Sequence, residues 1–201
     1  MKEKKIFDIF KNNINETINV KKSLISLSKK IDISIKLITE TIENGGKVML
    51  CGNGGSAADA QHLAAEFLIR LRPKVNRAPL PMISLATDTS TLTACGNDYS
   101  FNKIFSRPFE ALSKENDLLL VISTSGNSKN IIEVLKSSKK RKIKSIAFLG
   151  NNGGIAKKFT DIPIIVKSRN VARIQESHIF IGHFILEKVE DNLLNYSSST
   201  I

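Results

Sequence analysis

The chain of 201 residues has no tryptophan, and aromatic side chains make up only 6% of it. That is too sparse for a platform on which single-stranded nucleic acid could stack. There are two cysteines, Cys51 and Cys95, with no C-x-x-C spacing and no disulfide framework. Both read as small core residues, and a reducing compartment suits them. No uninterrupted apolar run reaches about 18 residues, so no membrane-spanning helix is expected. The opening segment, Met1 to Lys11, has neither an apolar h-region nor a small-residue cleavage site. A secretory signal is therefore not expected, and a cytoplasmic location is. Internal repeats and low-complexity linkers are also missing.

What is present has an ordinary globular balance, with 41% apolar and 24% charged residues. The length suits one domain with one large core. Lysine and arginine outnumber the acids, for a net charge of +11. Such a surplus can serve nucleic acid, a membrane surface or an anionic substrate. The densest cluster, Lys136 to Lys144, falls at a predicted helix C-terminus, where cations complement the helix dipole. It reads as a solvated helix end. There is no room for a separate helix-turn-helix domain, so nucleic acid is not the expected partner.

Residues 4–45 carry apolar positions at helical spacing in two stripes, one through Ile6, Ile9, Phe10 and Ile14, the other through Leu24, Leu27, Ile31, Ile35 and Ile38. Gly45-Gly46 ends this region. Short apolar runs then take over at Val48–Cys51, Met82–Leu85, Leu118–Ile122, Ser145–Leu149 and Ile162–Val166. Several are apolar on both faces, as strands of a covered parallel sheet must be. Helical patterns lie between most of them, notably Ser56–Arg70 and Asn130–Lys142, and a long helix is expected from about Ala172 to Leu194. This alternation predicts an α/β fold, a three-layer αβα sandwich around a five-stranded parallel sheet. Residues 1–45 form its N-terminal helices, residues 46–195 the α/β domain, and residues 196–201 a frayed tail.

Two loops share one chemistry. The first strand runs into Gly52-Asn53-Gly54-Gly55-Ser56, and the third into Ser123-Thr124-Ser125-Gly126-Asn127-Ser128; a helix follows each. Open α/β sheets bind ligands at the carboxyl ends of their strands, where helix N-termini offer free N–H groups. Neither loop reads as a dinucleotide fingerprint or a Walker A sequence. The hydroxyl-rich loop fits a monophosphate.

Acid–base candidates lie on two helices. His62 and Glu66 are four residues apart and share a face, which suits one metal or one substrate but equally a surface pair. On the last helix, His183 sits among Ile181, Phe184 and Ile185, a setting typical of a core histidine, and His178 lies nearby. Spacing does not choose between them. Gln175 and His183 are about 12 Å apart along a helix, so a site using both must straddle its ligand. It would draw on more than one helix face or more than one subunit.

These segments resemble the phosphoheptose isomerases of the sugar-isomerase (SIS) domain family. The resemblance rests on Gly52 to His62, Gly96-Asn97-Asp98-Tyr99, Ile104 to Arg107, Ile122 to Ser128, and Ala172 to Glu176 with His183. It implies isomerisation of sedoheptulose 7-phosphate to D-glycero-D-manno-heptose 7-phosphate through an enediol, and a homotetramer built with the N-terminal helices. Sugar contacts are implied for Asn53, Gly54, Gly55, Ser56, Asn97 and Asp98, and phosphate contacts for Ser123, Thr124, Ser125 and Ser128. One zinc ion per subunit is implied on His62, Glu66, Gln175 and His183, with Glu66 the general base and His183 the general acid. An aspartate that some members carry three residues before the glutamine is Ala172 here. A non-catalytic SIS tetramer that binds the bacterial replication initiator shares part of this pattern. His183 together with His62, Glu66 and Gln175 favours the enzyme.

Overall fold

The computed structural model describes residues 2–194. The tail expected at 196–201 lies outside them. Helix α1 (Lys2–Ser23) gives way, through a 3₁₀ turn at Leu24–Leu27, to α2 (Ser28–Glu43). The first stripe read from the sequence thus belongs to α1, and the second runs through the 3₁₀ turn into α2. Past Gly45, which takes a positive φ of 73°, the α/β alternation begins. It runs β1 (Val48–Gly52), α3 (Gly55–Leu68), β2 (Met82–Ser84), α4 (Thr89–Asp98), α5 (Ser106–Leu112), β3 (Leu118–Ser123), α6 (Lys129–Lys140), β4 (Lys144–Gly150), β5 (Ile162–Val166) and α7 (Val171–Leu193). All five expected strands form, and all pair in parallel in the order β2-β1-β3-β4-β5. Helices α4 and α5 are additions to the sequence reading. Asp88 caps the first of them by accepting from the Ser90 N–H.

The double-sided apolar runs have a simple cause. Side chains alternate across each strand, and both faces are covered. Val48, Leu50, Leu118, Leu120 and Ile122 join α2, α3 and α7 in one core layer. Met49, Cys51, Leu119 and Val121 join α4, α5 and α6 in the other. Both cysteines are buried, as expected.

Helices α3 and α7 lie side by side on the first face and run parallel. Gly55 touches Gln175 near their starts, and Leu63 touches Gly182 farther along. Gly182 allows that approach: a Cβ there would stand 2.7 Å from a Leu63 methyl carbon. A buried ion network fixes the far end. Glu190, fully buried, pairs with Arg72 and Arg77. Arg77 also donates to the Glu66 and Phe67 carbonyls, which ends α3 and orders the segment toward β2.

Candidate active site

In the order β2-β1-β3-β4-β5 the topological switch lies between β1 and β3, since β1 leads to a helix on one face and β3 to a helix on the other. Both sequence-predicted loops meet there. Gly54 adopts φ 56°, ψ −123°, open to glycine alone, and serves as the N-cap of α3 with no side chain to cap it. Ser128 is the N-cap of α6 and also makes no capping bond. By contrast Asp88 and Asn170 cap α4 and α7 with their side chains. The N-cap residue makes no side-chain capping bond at either helix N-terminus of the switch, as is also true of α2 and α5, although Asn130 Oδ1 accepts from Ile131 N–H in the first turn of α6; each terminus carries partial positive charge.

The hydroxyl loop is held firmly. The Ser123 hydroxyl accepts from Gly126 N–H, and Ser125 accepts from Asn127 N–H. Gly126 has φ 63°, and a Cβ there would collide with the Gly153 carbonyl. Asn53 is clamped to the start of α6 by a reciprocal amide pair with buried Asn130, at 2.9 and 2.8 Å. Asn130 escaped the sequence reading, because an asparagine in the first turn of a helix carries no signal of a partner 77 residues away.

His62, Glu66 and His183 converge. The Nε2 atoms of the two histidines are 2.8 Å apart, and His62 Nε2 is 3.5 Å from a Glu66 carboxylate oxygen. One donor atom from each of the three lies within 4.8 Å of the others. Burial, together with the neighbouring His62, lowers the pKa of His183, against the opposing pull of Glu66 and Glu187. Two imidazoles and a carboxylate suit zinc, whose tetrahedral donors stand about 3.4 Å apart at bond lengths near 2.1 Å. The His62–His183 and His62–Glu66 spacings of 2.8 and 3.5 Å lie close to that value, and the third pair stands within 4.8 Å. One helix face supplies two of these groups and the neighbouring helix the third, all within one subunit.

His178 is the core histidine of the pair. It is fully buried, packs 6.0 Å from the Phe148 ring centre, and among the described residues neither ring nitrogen meets a partner at good hydrogen-bond geometry. Burial lowers its pKa to about 4, against a slight opposing pull from the Leu149 backbone. The apolar neighbours that gave His183 the look of a core residue belong to the faces on either side of it.

The remaining expected residues fall in two groups. Gln175 rests on Gly55 at the first loop, and no hydrogen bond joins it to His62, Glu66 or His183. Asn97 and Asp98 are exposed at the end of α4 and bond to each other at 2.8 Å. No hydrogen bond ties them to the loops or to the His–Glu–His group, though the Arg107 guanidinium lies over the Tyr99 ring and holds that helix end in place. Asp59, one turn before His62, was not anticipated. One of its carboxylate oxygens is buried without a partner, and burial raises its pKa while His62 opposes the rise.

A doubly wound parallel sheet with two helix N-termini at its switch and a carboxylate–imidazole group nearby defines an α/β protein of the ligand-binding, doubly wound class. The SIS domain model matches residues 10–150. A phosphoheptose isomerase from Campylobacter concisus is 50% identical over 167 residues, covering 83% of this chain and 87% of the relative. One from Chlorobaculum parvum is 52% identical over 162 residues, covering 80% and 77%. The solved phosphoheptose isomerase of Neisseria gonorrhoeae superposes with a TM-score of 0.86 at 37% identity, covering 92% of this chain and 99% of that one. The chain belongs to the SIS domain family and, within it, to the phosphoheptose isomerases.

Proposed function

We propose that the chain interconverts sedoheptulose 7-phosphate and D-glycero-D-manno-heptose 7-phosphate. It is an aldose–ketose isomerase by family. The observation that carries the assignment is the convergence of His183 with His62 and Glu66 on the helix that begins at the switch, where neither N-cap residue makes a side-chain capping bond.

The 7-phosphate sits on the α6 N-terminus, with Ser123, Thr124, Ser125 and Ser128 as donors. Its binding energy holds the reacting end of the sugar in place. Asn53, Gly54, Gly55 and Ser56, with Asn97, Asp98 and Gln175, contact the sugar. Glu66 takes a proton from C1 of the ketose and returns it to C2. His183 protonates O2 and accepts the proton leaving O1, so the exchange balances. A neutral imidazole is needed for that exchange, and burial favours the neutral form of His183. Zinc on His62, Glu66, Gln175 and His183, one ion per subunit, would supply electrophilic stabilisation of the charge that develops on the sugar oxygens.

The protein works as a cytoplasmic homotetramer. Among the described residues no helix is long and apolar enough to cross a membrane. Ile6, Phe7, Ile9, Phe10, Ile14 and Ile18 are exposed along α1 in the single chain, and burial against a second copy accounts for them.

A coupled assay on sedoheptulose 7-phosphate tests the assignment. The wild type turns over, and Glu66→Gln and His183→Ala each lose about 100-fold or more in kcat. A wild-type sample that is folded and zinc-loaded yet inert, or a Glu66→Gln variant with full kcat, overturns it.

A further inference from the structure

The carboxyl edge of the sheet has a second crevice. After β4 the chain turns onto the second face through Ala156, whereas after β5 it crosses to the first face as α7. Connections that diverge in this way leave a gap between the strand ends. A cavity of about 550 Å³ lies there, walled by the loops that follow β3, β4 and β5. That is the size of a small-molecule site. It lies on the other side of the β3 loop from the switch.

Four of its seven lining side chains have a hydrogen-bonding role that the structure fixes. Backbone N–H groups only donate, so a side-chain atom bonded to one must be acting as an acceptor. Asn127 Oδ1 accepts from Ile155 N–H and Asn152 Oδ1 from Gly154 N–H, each at 3.0 Å. Both amide oxygens are therefore engaged, and among the described residues their NH₂ ends donate no hydrogen bond. Ser125 Oγ accepts from Asn127 N–H and Ser168 Oγ from Asn170 N–H, each at 3.1 Å. Each hydroxyl keeps its own proton to donate. Lys167 and Arg169 complete the wall, and neither forms an ion pair among the described residues. No carboxylate lines the cavity. Asn151 is the remaining wall residue, with an amide that can turn either end inward; two cations, several free donors and no carboxylate suit an anion.

We propose that this crevice is an anion site separate from the substrate cradle, and that it takes a phosphorylated small metabolite. The cavity is several times the volume of a phosphate group, which leaves room for an organic portion. Ser125 stands in the wall of the crevice and in the phosphate loop, so occupancy of one is felt by the other. The chemistry of the crevice does not depend on which reaction the switch performs.

Equilibrium dialysis of the intact protein against radiolabelled inorganic phosphate tests this. Wild type should bind two equivalents per chain, and Lys167→Ala/Arg169→Ala should bind one. Ser128→Ala should lose the other equivalent. Asn152→Asp can still accept from Gly154 N–H, yet it places negative charge in the wall and should weaken the second equivalent about tenfold. In phosphate-free buffer the Lys167/Arg169 double variant should turn over sedoheptulose 7-phosphate within about twofold of wild type. A single equivalent in wild type overturns the proposal, as do two equivalents unmoved by the double variant. So does a large rise in substrate KM in the double variant, which would make the crevice the substrate's own phosphate pocket. Wild type that binds phosphate twice but never turns over the sugar refutes the isomerase reading and leaves the crevice standing.

Discussion

Gly182→Ala separates packing from chemistry at the α3–α7 contact. The new methyl carbon would stand 2.7 and 2.8 Å from the two Leu63 methyls, where about 3.5–4.0 Å is ordinary contact. Leu63 is itself buried in the core and cannot simply swing aside. The helices must part by roughly 1 Å, or Leu63 must leave its rotamer, at a cost of about 1–3 kcal/mol. Replacing a helical glycine with alanine returns about 1 kcal/mol, so the net loss of stability is about 0–2 kcal/mol. That corresponds to a fall in Tm of at most about 8 °C for a chain this long. The functional effect is larger. His183 is the next residue, and a 1 Å shift takes its Nε2 away from His62 and Glu66. Misplacement on that scale costs about 100-fold in rate. The assay pairs thermal unfolding with kcat and zinc stoichiometry for Gly182→Ala, Leu63→Ala and the double variant. Leu63→Ala opens space for the new methyl and should recover at least about tenfold of the lost kcat in the Gly182→Ala background, a coupling that distant sites do not show. Full turnover and full zinc content in Gly182→Ala, or no recovery in the double variant, would refute the view that this contact sets the site's geometry.

The buried His178 makes stability depend on pH. Its pKa is about 4 in the fold against 6.5 free, so the unfolded chain binds the extra proton between those values. Stability is full above about pH 6.5 and falls by up to about 3 kcal/mol as pH drops toward 4. Urea midpoints across that range should show the slope, and His178→Leu should flatten it; an equal slope in both would exclude His178 as the source. Arg77→Ala leaves buried Glu190 with Arg72 alone and strips the end of α3. We expect a loss of about 3 kcal/mol, or about 10 °C in Tm, and a change under 2 °C would mean the network contributes little. Asn130→Ala frees the Asn53 amide and should raise KM for the sugar phosphate several-fold while kcat changes less; an unchanged KM would show that the clamp does not organise the loop.

Much of the fold was legible because it rests on local repeats. Each strand announced itself as a short run apolar on both faces, and each flanking helix by its own spacing. The two loops were legible from glycines and hydroxyls at strand ends. The partners across the fold were not. Asn130 pairs with Asn53 only because β1 and β3 are neighbours in the sheet. Asp59 becomes notable only once one of its oxygens is buried. Asn97 and Asp98 came from a matching motif, and in the single chain they face solvent at the end of α4.

The amino-acid sequence by itself determined the parallel α/β sandwich, the glycine-rich and hydroxyl-rich loops at two strand ends and the pairing of His62 with Glu66 on one face of a helix. These depend on spacing within a segment, which the chain carries wherever it goes. Spacing left open which histidine of α7 joins them; the resemblance implied His183, and only the tertiary structure gives the physical reason. His178 and His183 point about 140° apart around the helix, and both have apolar neighbours. The docking of α7 turns one onto the sheet and, through the close approach at Gly182, brings the other to α3.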